Sequence, residues 1–167
     1  MPLIVLEGLD GAGKSTQVRL LTEYYENEGK KVHFLHFPRL DVSYWGEMIA
    51  SFLRGEYGDI DQVHPQLVAI LYAGDRWEAS KEIMQHLANG EIVFLDRYVY
   101  SNIAYQCAKL HNDKEKDKLR NWILNFEYKY FKIPKPDITL FLDVPSTFVE
   151  KKLQENRTGS DRAYLKG

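Results

Sequence analysis

The sequence predicts an α/β fold, a doubly wound parallel sheet, on three observations. Short apolar runs alternate along the chain with helix-period segments, the pattern of successive βαβ units. The first run, Leu3-Ile4-Val5-Leu6, is continuously apolar, as suits a parallel strand covered on both faces. It passes directly into Gly8-Leu9-Asp10-Gly11-Ala12-Gly13-Lys14-Ser15-Thr16, which fits the phosphate-binding pattern G-x-x-x-x-G-K-[ST].

Each fixed place in that loop has a physical task. Gly8 and Gly13 let the backbone turn tightly and aim successive N–H groups at an anion. A helix starting near Lys14 adds the positive end of its dipole at the same point. The pattern assigns Lys14 to the β- and γ-phosphates of a nucleotide and the Ser15 hydroxyl to Mg²⁺. The nucleotide-binding set is therefore Gly8, Leu9, Asp10, Gly11, Ala12, Gly13, Lys14, Ser15 and Thr16.

The elements follow in order. Strand one spans Leu3 to Leu6, and the first helix runs from about Ser15 to Glu28 with Val18, Leu21 and Tyr25 as its apolar stripe. Strand two covers Lys31 to His36 and stops at Phe37-Pro38-Arg39, because proline ends the pairing. A short helix is expected over Tyr44 to Leu53, and a long one over Pro65 to Ala88, opened by Pro65. On the long helix Leu67, Ile70, Leu71, Trp77, Met84 and Leu87 read as core. Gly74 in its middle points to close packing or a nearby ligand, since glycine costs roughly 1 kcal/mol there relative to alanine. Strand three is Ile92 to Leu95, ending at Asp96, and a helix follows from about Tyr98 to Leu110. The alternating charges Asp113 to Lys118 open a solvated helix continuing through Trp122 and Phe126. Pro134 and Pro136 break it before strand four, Ile138 to Leu142, which ends at Asp143, and a last helix runs from about Ser146 to Gln154. Strands one, three and four thus deliver Glu7, Asp96 and Asp143 to the carboxyl edge of the sheet, where open parallel sheets bind ligands.

Composition narrows the function classes. With 167 residues, 44% hydrophobic and 28% charged, the chain suits one domain with a real core, and no internal repeat or linker divides it. A net charge of -2 offers no broad basic surface, so neither nucleic acid nor an anionic membrane is expected as a partner. No run approaches membrane-spanning length, and the start lacks the basic region of a signal peptide. The single cysteine, Cys107, has no internal partner, which places the protein in a reducing compartment, the cytoplasm. His33, His36, His64, His86 and His111 show no helical i, i+4 pair and read as structural or surface residues.

Loop and fold class alone suit an ATPase, a nucleotide switch or a small-molecule kinase. The switch reading lacks an N-K-x-D guanine-reading segment. The remaining motifs, Phe37-Pro38-Arg39, Tyr72-Ala73-Gly74-Asp75-Arg76-Trp77, Asp96-Arg97-Tyr98 and Pro136-Asp137, taken in order with the loop, resemble the thymidylate kinase family. The resemblance covers nearly the whole chain. It implies a nucleoside monophosphate kinase-like domain over residues 1–167, with a lid-like segment at about 155–167. It also implies that the chain lacks the family's last strand and helix. The expected reaction moves the γ-phosphoryl group of ATP, with Mg²⁺, onto dTMP to give dTDP, in a protein that is a homodimer.

The chemistry of such a transfer needs cations more than a base. The acceptor phosphate is already mostly ionised near neutral pH, its second pKa being about 6, so the difficulty is bringing two anions together. By resemblance, Arg97 holds the acceptor phosphate with help from Arg39, and Asp96 orients Mg²⁺ through water. Tyr72 stacks on thymine and Arg76 addresses its carbonyl edge. Asp10 accepts from the sugar 3′-hydroxyl and Tyr105 crowds the 2′ position. Phe37, Ser101, Asn102 and Gln106 complete the substrate set. Some family members carry arginine inside the phosphate loop, whereas this chain has Gly11 and Ala12 there. Arg157 and Arg162 in the lid-like segment are then expected to supply the catalytic cation, beside Lys14 and Arg97. Two other readings stay open at this point. One is a deoxynucleoside kinase using a carboxylate such as Glu7 as base, and the other is an inactive nucleotide-binding fragment.

Overall fold

A computed structural model describes residues 1–145 and 147. Four parallel strands, β1 (Leu3–Gly8), β2 (Val32–His36), β3 (Ile92–Asp96) and β4 (Ile138–Leu142), form one sheet in the order β2-β3-β1-β4. Among the described residues, five α-helices accompany them: α1 (Lys14–Asn27), α2 (Tyr44–Leu53), α3 (Pro65–Ala88), α4 (Val99–Ala108) and α5 (Asp113–Asn125). A π-helical turn, Phe126–Tyr130, continues α5. The helix expected over about 146–154 lies outside the described residues.

The sheet is covered on both faces. Leu3 and Val5 point to one side with Val93 and Leu95, against Ala69, Ala79 and Ile83 of α3 and Ile103, Leu119 and Ile123 beyond it. Ile4 and Leu6 point to the other side with Ile92 and Phe94, where Val18, Leu21 and Tyr25 of α1 pack. Six consecutive buried residues in β1 are the direct result, and they account for its unbroken apolar reading. Asp137 locks β4 to β1, because its Oδ2 accepts from Leu3 N at 2.8 Å while its own N–H donates to Leu3 O at 2.9 Å.

Local chemistry sets the helix starts. Ser43 Oγ accepts from Gly46 N at the head of α2, and the Asn112 side chain accepts from Lys114 N at the head of α5. Pro65 opens α3 as expected. Helix α4 begins at Val99, with Tyr98 as its cap, and ends at Ala108, shorter than its apolar pattern suggests.

The core face of α3 differs from expectation. Leu67, Trp77 and Met84 are 59%, 48% and 47% exposed, whereas Val68, Ala69, Ala73, Gly74, Asp75, Arg76, Ala79, Ser80 and Ile83 are buried. Ranking by side-chain size misreads this helix because its inward stripe carries small residues and two paired charges. Gly74 answers the close-packing expectation: a Cβ there would overlap the six-membered ring of Trp45 from α2.

Candidate active site

The phosphate loop leaves β1 at the middle of the sheet and enters α1. Gly11 and Gly13 hold φ of 81° and 93°, left-handed values that an L side chain rarely adopts. Gly13 is the cap residue of α1 and has no side chain to cap it, so the first N–H groups of the helix and its dipole face the loop. Lys14 is 5% exposed and donates Nζ to Gly8 O at 3.1 Å and Leu9 O at 3.0 Å. Burial, then the charge of Arg97, pushes the Lys14 ammonium below the ordinary lysine value, partly opposed by Asp96, Asp10 and Glu7.

Asp96, at the end of β3, meets this loop. Its Oδ2 accepts from Ser15 Oγ at 3.3 Å and lies 3.2 Å from His36 Nδ1. Its Oδ1 is buried without a hydrogen-bond partner among the described residues, 3.9 Å from Lys14 Nζ. A buried carboxylate oxygen left over beside a hydroxyl is the donor set a hard cation prefers, so Ser15 and Asp96 fit Mg²⁺. Asp96 does not cap α4. Glu7 does that, accepting from the N–H groups of Tyr98 at 3.0 Å and Ser101 at 3.2 Å, and from Ser101 Oγ.

Arg97 follows Asp96 with φ of 69°, a left-handed conformation unusual outside glycine. The backbone is held there by its N–H donating to Leu6 O at 2.9 Å. The guanidinium then reaches three expected site residues: Ser101 Oγ at 2.9 Å, Asp10 Oδ1 at 2.8 Å and Tyr105 Oη at 3.2 Å. Burial pushes the Asp10 carboxyl up, but the hydrogen bond and charge of Arg97, with Lys14, hold it below its ordinary value. Asp10, Arg97, Ser101 and Tyr105 therefore stand together beside the phosphate loop.

The other expected substrate residues lie on α3 and α4. Tyr72 is half-buried, and burial pushes its phenol up to about 12. Arg76 is 2% exposed and forms a bidentate pair with Glu127, Nε to Oε2 at 2.6 Å and Nη2 to Oε1 at 2.7 Å. Asn102 Nδ2 donates to Glu127 Oε1 and to Ala69 O, both at 3.1 Å. The Oδ1 of Asn102 and Oε1 of Gln106 are buried without partners among the described residues, acceptors left for an incoming donor.

Two expected residues are engaged elsewhere. Phe37 is 2% exposed and packs in the core with Tyr98, their ring centroids 5.9 Å apart, so it supports the cleft instead of facing it. Arg39 donates Nε to Asp75 Oδ1 at 2.8 Å and Nη2 to Asp75 O at 3.0 Å, which commits its guanidinium to the middle of α3. Arg157 and Arg162 lie outside the described residues. Surface concavities of about 450 and 550 Å³ lie against Tyr128 and Lys135, and against Asp41 and Glu47, and none of the expected site residues among the described residues lines them.

Sequence reasoning missed Glu127, Asp75 and the capping role of Glu7. Asp75 was visible inside the Tyr72–Trp77 motif. Glu127 sits in an aromatic-rich stretch, Phe126-Glu127-Tyr128, and a lone acid among aromatics was the available signal for a buried ion pair.

Comparisons with known proteins point to one family. The family model described as thymidylate kinase matches residues 6–166. A thymidylate kinase of Plasmodium falciparum is 34% identical over 149 residues, covering 89% of this chain and 64% of that protein. One from Mycobacterium tuberculosis H37Rv is 38% identical over 142 residues, covering 85% of this chain and 65% of that protein. The chain thus spans a little under two thirds of the length of these relatives. A probable thymidylate kinase of Thermococcus kodakarensis is 37% identical over 163 residues, covering 95% and 74% of the two chains. The solved thymidylate kinase of Candida albicans superposes with a TM-score of 0.71 at 30% identity, covering 98% of this chain and 76% of its own. The family model spans nearly the whole chain, phosphate loop included, and the chain belongs to the thymidylate kinase family.

Proposed function

We propose that the protein transfers the γ-phosphoryl group of ATP to dTMP, giving dTDP and ADP. An oxygen of the dTMP phosphate forms the new bond to the γ-phosphorus. The bond from that phosphorus to the β–γ bridging oxygen breaks, and ADP carries the charge away. The carrying observation is Arg97, a guanidinium fixed by backbone and side chain beside the phosphate loop, within reach of Asp10, Ser101 and Tyr105. A bidentate cation at that place suits an acceptor that is itself a phosphate.

The loop from Gly8 to Thr16 binds the ATP phosphates through its N–H groups, and Lys14 leaves the carbonyls of Gly8 and Leu9 to bridge the β- and γ-phosphates. Ser15 and Asp96 hold Mg²⁺, which neutralises charge on the phosphate oxygens when bound. Tyr72 stacks on thymine. The unpartnered Asn102 Oδ1 accepts from the thymine N3–H, and Arg76, oriented by Glu127, faces the carbonyl edge. Asp10 accepts from the 3′-hydroxyl and Tyr105 excludes a 2′-hydroxyl. Arg157 and Arg162 supply the cation that Gly11 and Ala12 cannot. The reading extends to a cytoplasmic homodimer, on the family resemblance and on the single free thiol of Cys107.

The nucleoside-kinase reading is weakened by Glu7. It is 3% exposed and both its oxygens are taken by Tyr98 and Ser101, which leaves it unsuited as a base for a hydroxyl acceptor. ADP release with ATP and Mg²⁺, measured across dTMP, its ribose counterpart, AMP, CMP and thymidine, tests the proposal. dTMP is expected to turn over fastest, and its lead over the ribose counterpart to narrow in Tyr105→Ala. Thymidine turning over faster than dTMP rejects it.

A further inference from the structure

Away from the loop, β2 and α3 bring together residues that the sequence keeps far apart. His33 from β2 and His86 from α3 stack with ring centroids 3.5 Å apart and planes 9° from parallel. Glu82, one turn before His86, places Oε1 3.1 Å from His33 Nε2. One ligand atom each from His33, Glu82 and His86 lies within 4.8 Å of the others, and among the described residues this is the one such cluster. We propose that these three side chains form a binding site for a divalent transition-metal ion of the zinc class, separate from the Ser15–Asp96 pair.

The donor set carries the choice of ion. Two imidazoles and one carboxylate suit zinc and its neighbours, whereas Mg²⁺ prefers oxygen ligands alone. Glu82 and His86 are an i, i+4 pair on one helical turn, the spacing that sets two side chains on one face. Glu91 completes the arrangement from behind. Its Oε2 lies 2.7 Å from His86 Nδ1, so that nitrogen is the one held by a carboxylate and Nε2 is left to bind. Carboxylate–histidine contacts of this kind orient metal-ligating imidazoles.

Charge points the same way. Glu82 and Glu91 put two carboxylates beside the rings. Binding requires two local changes. The rings rotate out of their stack so that their lone pairs converge, and His33 carries its proton on Nδ1. Partial exposure, with side-chain values of 22% for His33, 43% for Glu82 and 27% for His86, leaves the three side chains open to an ion from solvent. An ion there ties the edge strand β2 to α3, the helix that carries Tyr72 and Arg76.

Calorimetric titration of the untagged chain with ZnCl₂ in excess Mg²⁺ tests the site, with Co²⁺ absorption reporting the ligand geometry. A single saturable site is expected, weakened at least about tenfold in His33→Ala and in His86→Ala, and by a smaller factor in Glu91→Gln. Glu82→Gln, at a half-exposed position, provides the same test if a histidine variant does not fold. Absence of saturable binding overturns the proposal. So does binding of unchanged affinity in a folded variant of any of the three proposed ligands. None of these residues belongs to the phosphate-transfer site, so this result stands apart from the assay of dTMP turnover.

Discussion

Arg76 and Glu127 form a doubly hydrogen-bonded ion pair inside the protein, with contacts of 2.6 and 2.7 Å and side-chain exposures of 2% and 0%. The pair joins the middle of α3 to a π-helical turn, a local widening often found at functional sites. Burial disfavours the Arg76 cation, but the charge and hydrogen bonds of Glu127 outweigh it and raise the guanidinium above its ordinary value. Arg76 is thus held charged and aimed by a residue more than fifty positions away in the chain.

Breaking that pair by removing one partner strands a buried charge, which costs about 3–5 kcal/mol. Glu127→Ala is expected to lose stability on that scale in a urea titration. Glu127→Gln retains the shape and one acceptor, so a smaller loss is expected, with KM for dTMP rising more than kcat falls. A Glu127→Ala protein that unfolds at the parent's urea midpoint contradicts the role given to the pair.

Gly74→Ala sets two effects against each other. In an open helix the change gains roughly 1 kcal/mol from propensity. Here the new methyl meets the Trp45 indole, and overpacking of this kind costs typically about 1–3 kcal/mol. Net destabilisation is expected, visible as a lower Tm. A raised Tm shows that Trp45 moves aside freely and that close packing is not the reason for glycine.

The His33 imidazole, lowered by burial and then by His86, makes stability depend on pH in a set direction. Below the unfolded value of about 6.5, the unfolded chain binds the proton more readily than the folded one. This contribution is therefore fully present above about pH 6.5 and is lost as pH falls toward the lower folded value. Denaturant titrations in chelator should show stability falling on that side, with a shallower fall in His33→Gln. Identical slopes in the two proteins contradict this assignment.

How much was legible in the sequence follows the range of the forces involved. Strands, helix starts and the loop were readable because they rest on local rules: an unbroken apolar run for β1, proline before α3, glycines and Lys14 at the head of α1. Asp10, Arg97, Ser101 and Tyr105 were each expected at the site through resemblance in separate roles, whereas their meeting at the Arg97 guanidinium was not read from the sequence. What failed was long-range. The inward face of α3 could not be ranked without knowing that Trp45 covers Gly74 and that Asp75 and Arg76 are neutralised by Arg39 and Glu127. Phe37 and Arg39 sit in a motif that suggests substrate contact, yet both pack inward because their partners, Tyr98 and Asp75, come from distant elements. The meeting of His33 with His86 is of the same kind, since pairing of β2 beside β3 and packing of α3 are both needed to make it.

The central claim is that Arg97, locked at φ of 69° beside the loop, holds the phosphate of the acceptor nucleotide. Steady-state kinetics of Arg97→Ala with dTMP, alongside its Tm, test this most directly. The account predicts a fall in kcat/KM for dTMP of at least about a hundredfold, the scale for loss of a fixed donor at developing charge, with slow ATP hydrolysis in the absence of dTMP little changed. A folded Arg97→Ala protein that phosphorylates dTMP as efficiently as the parent contradicts it.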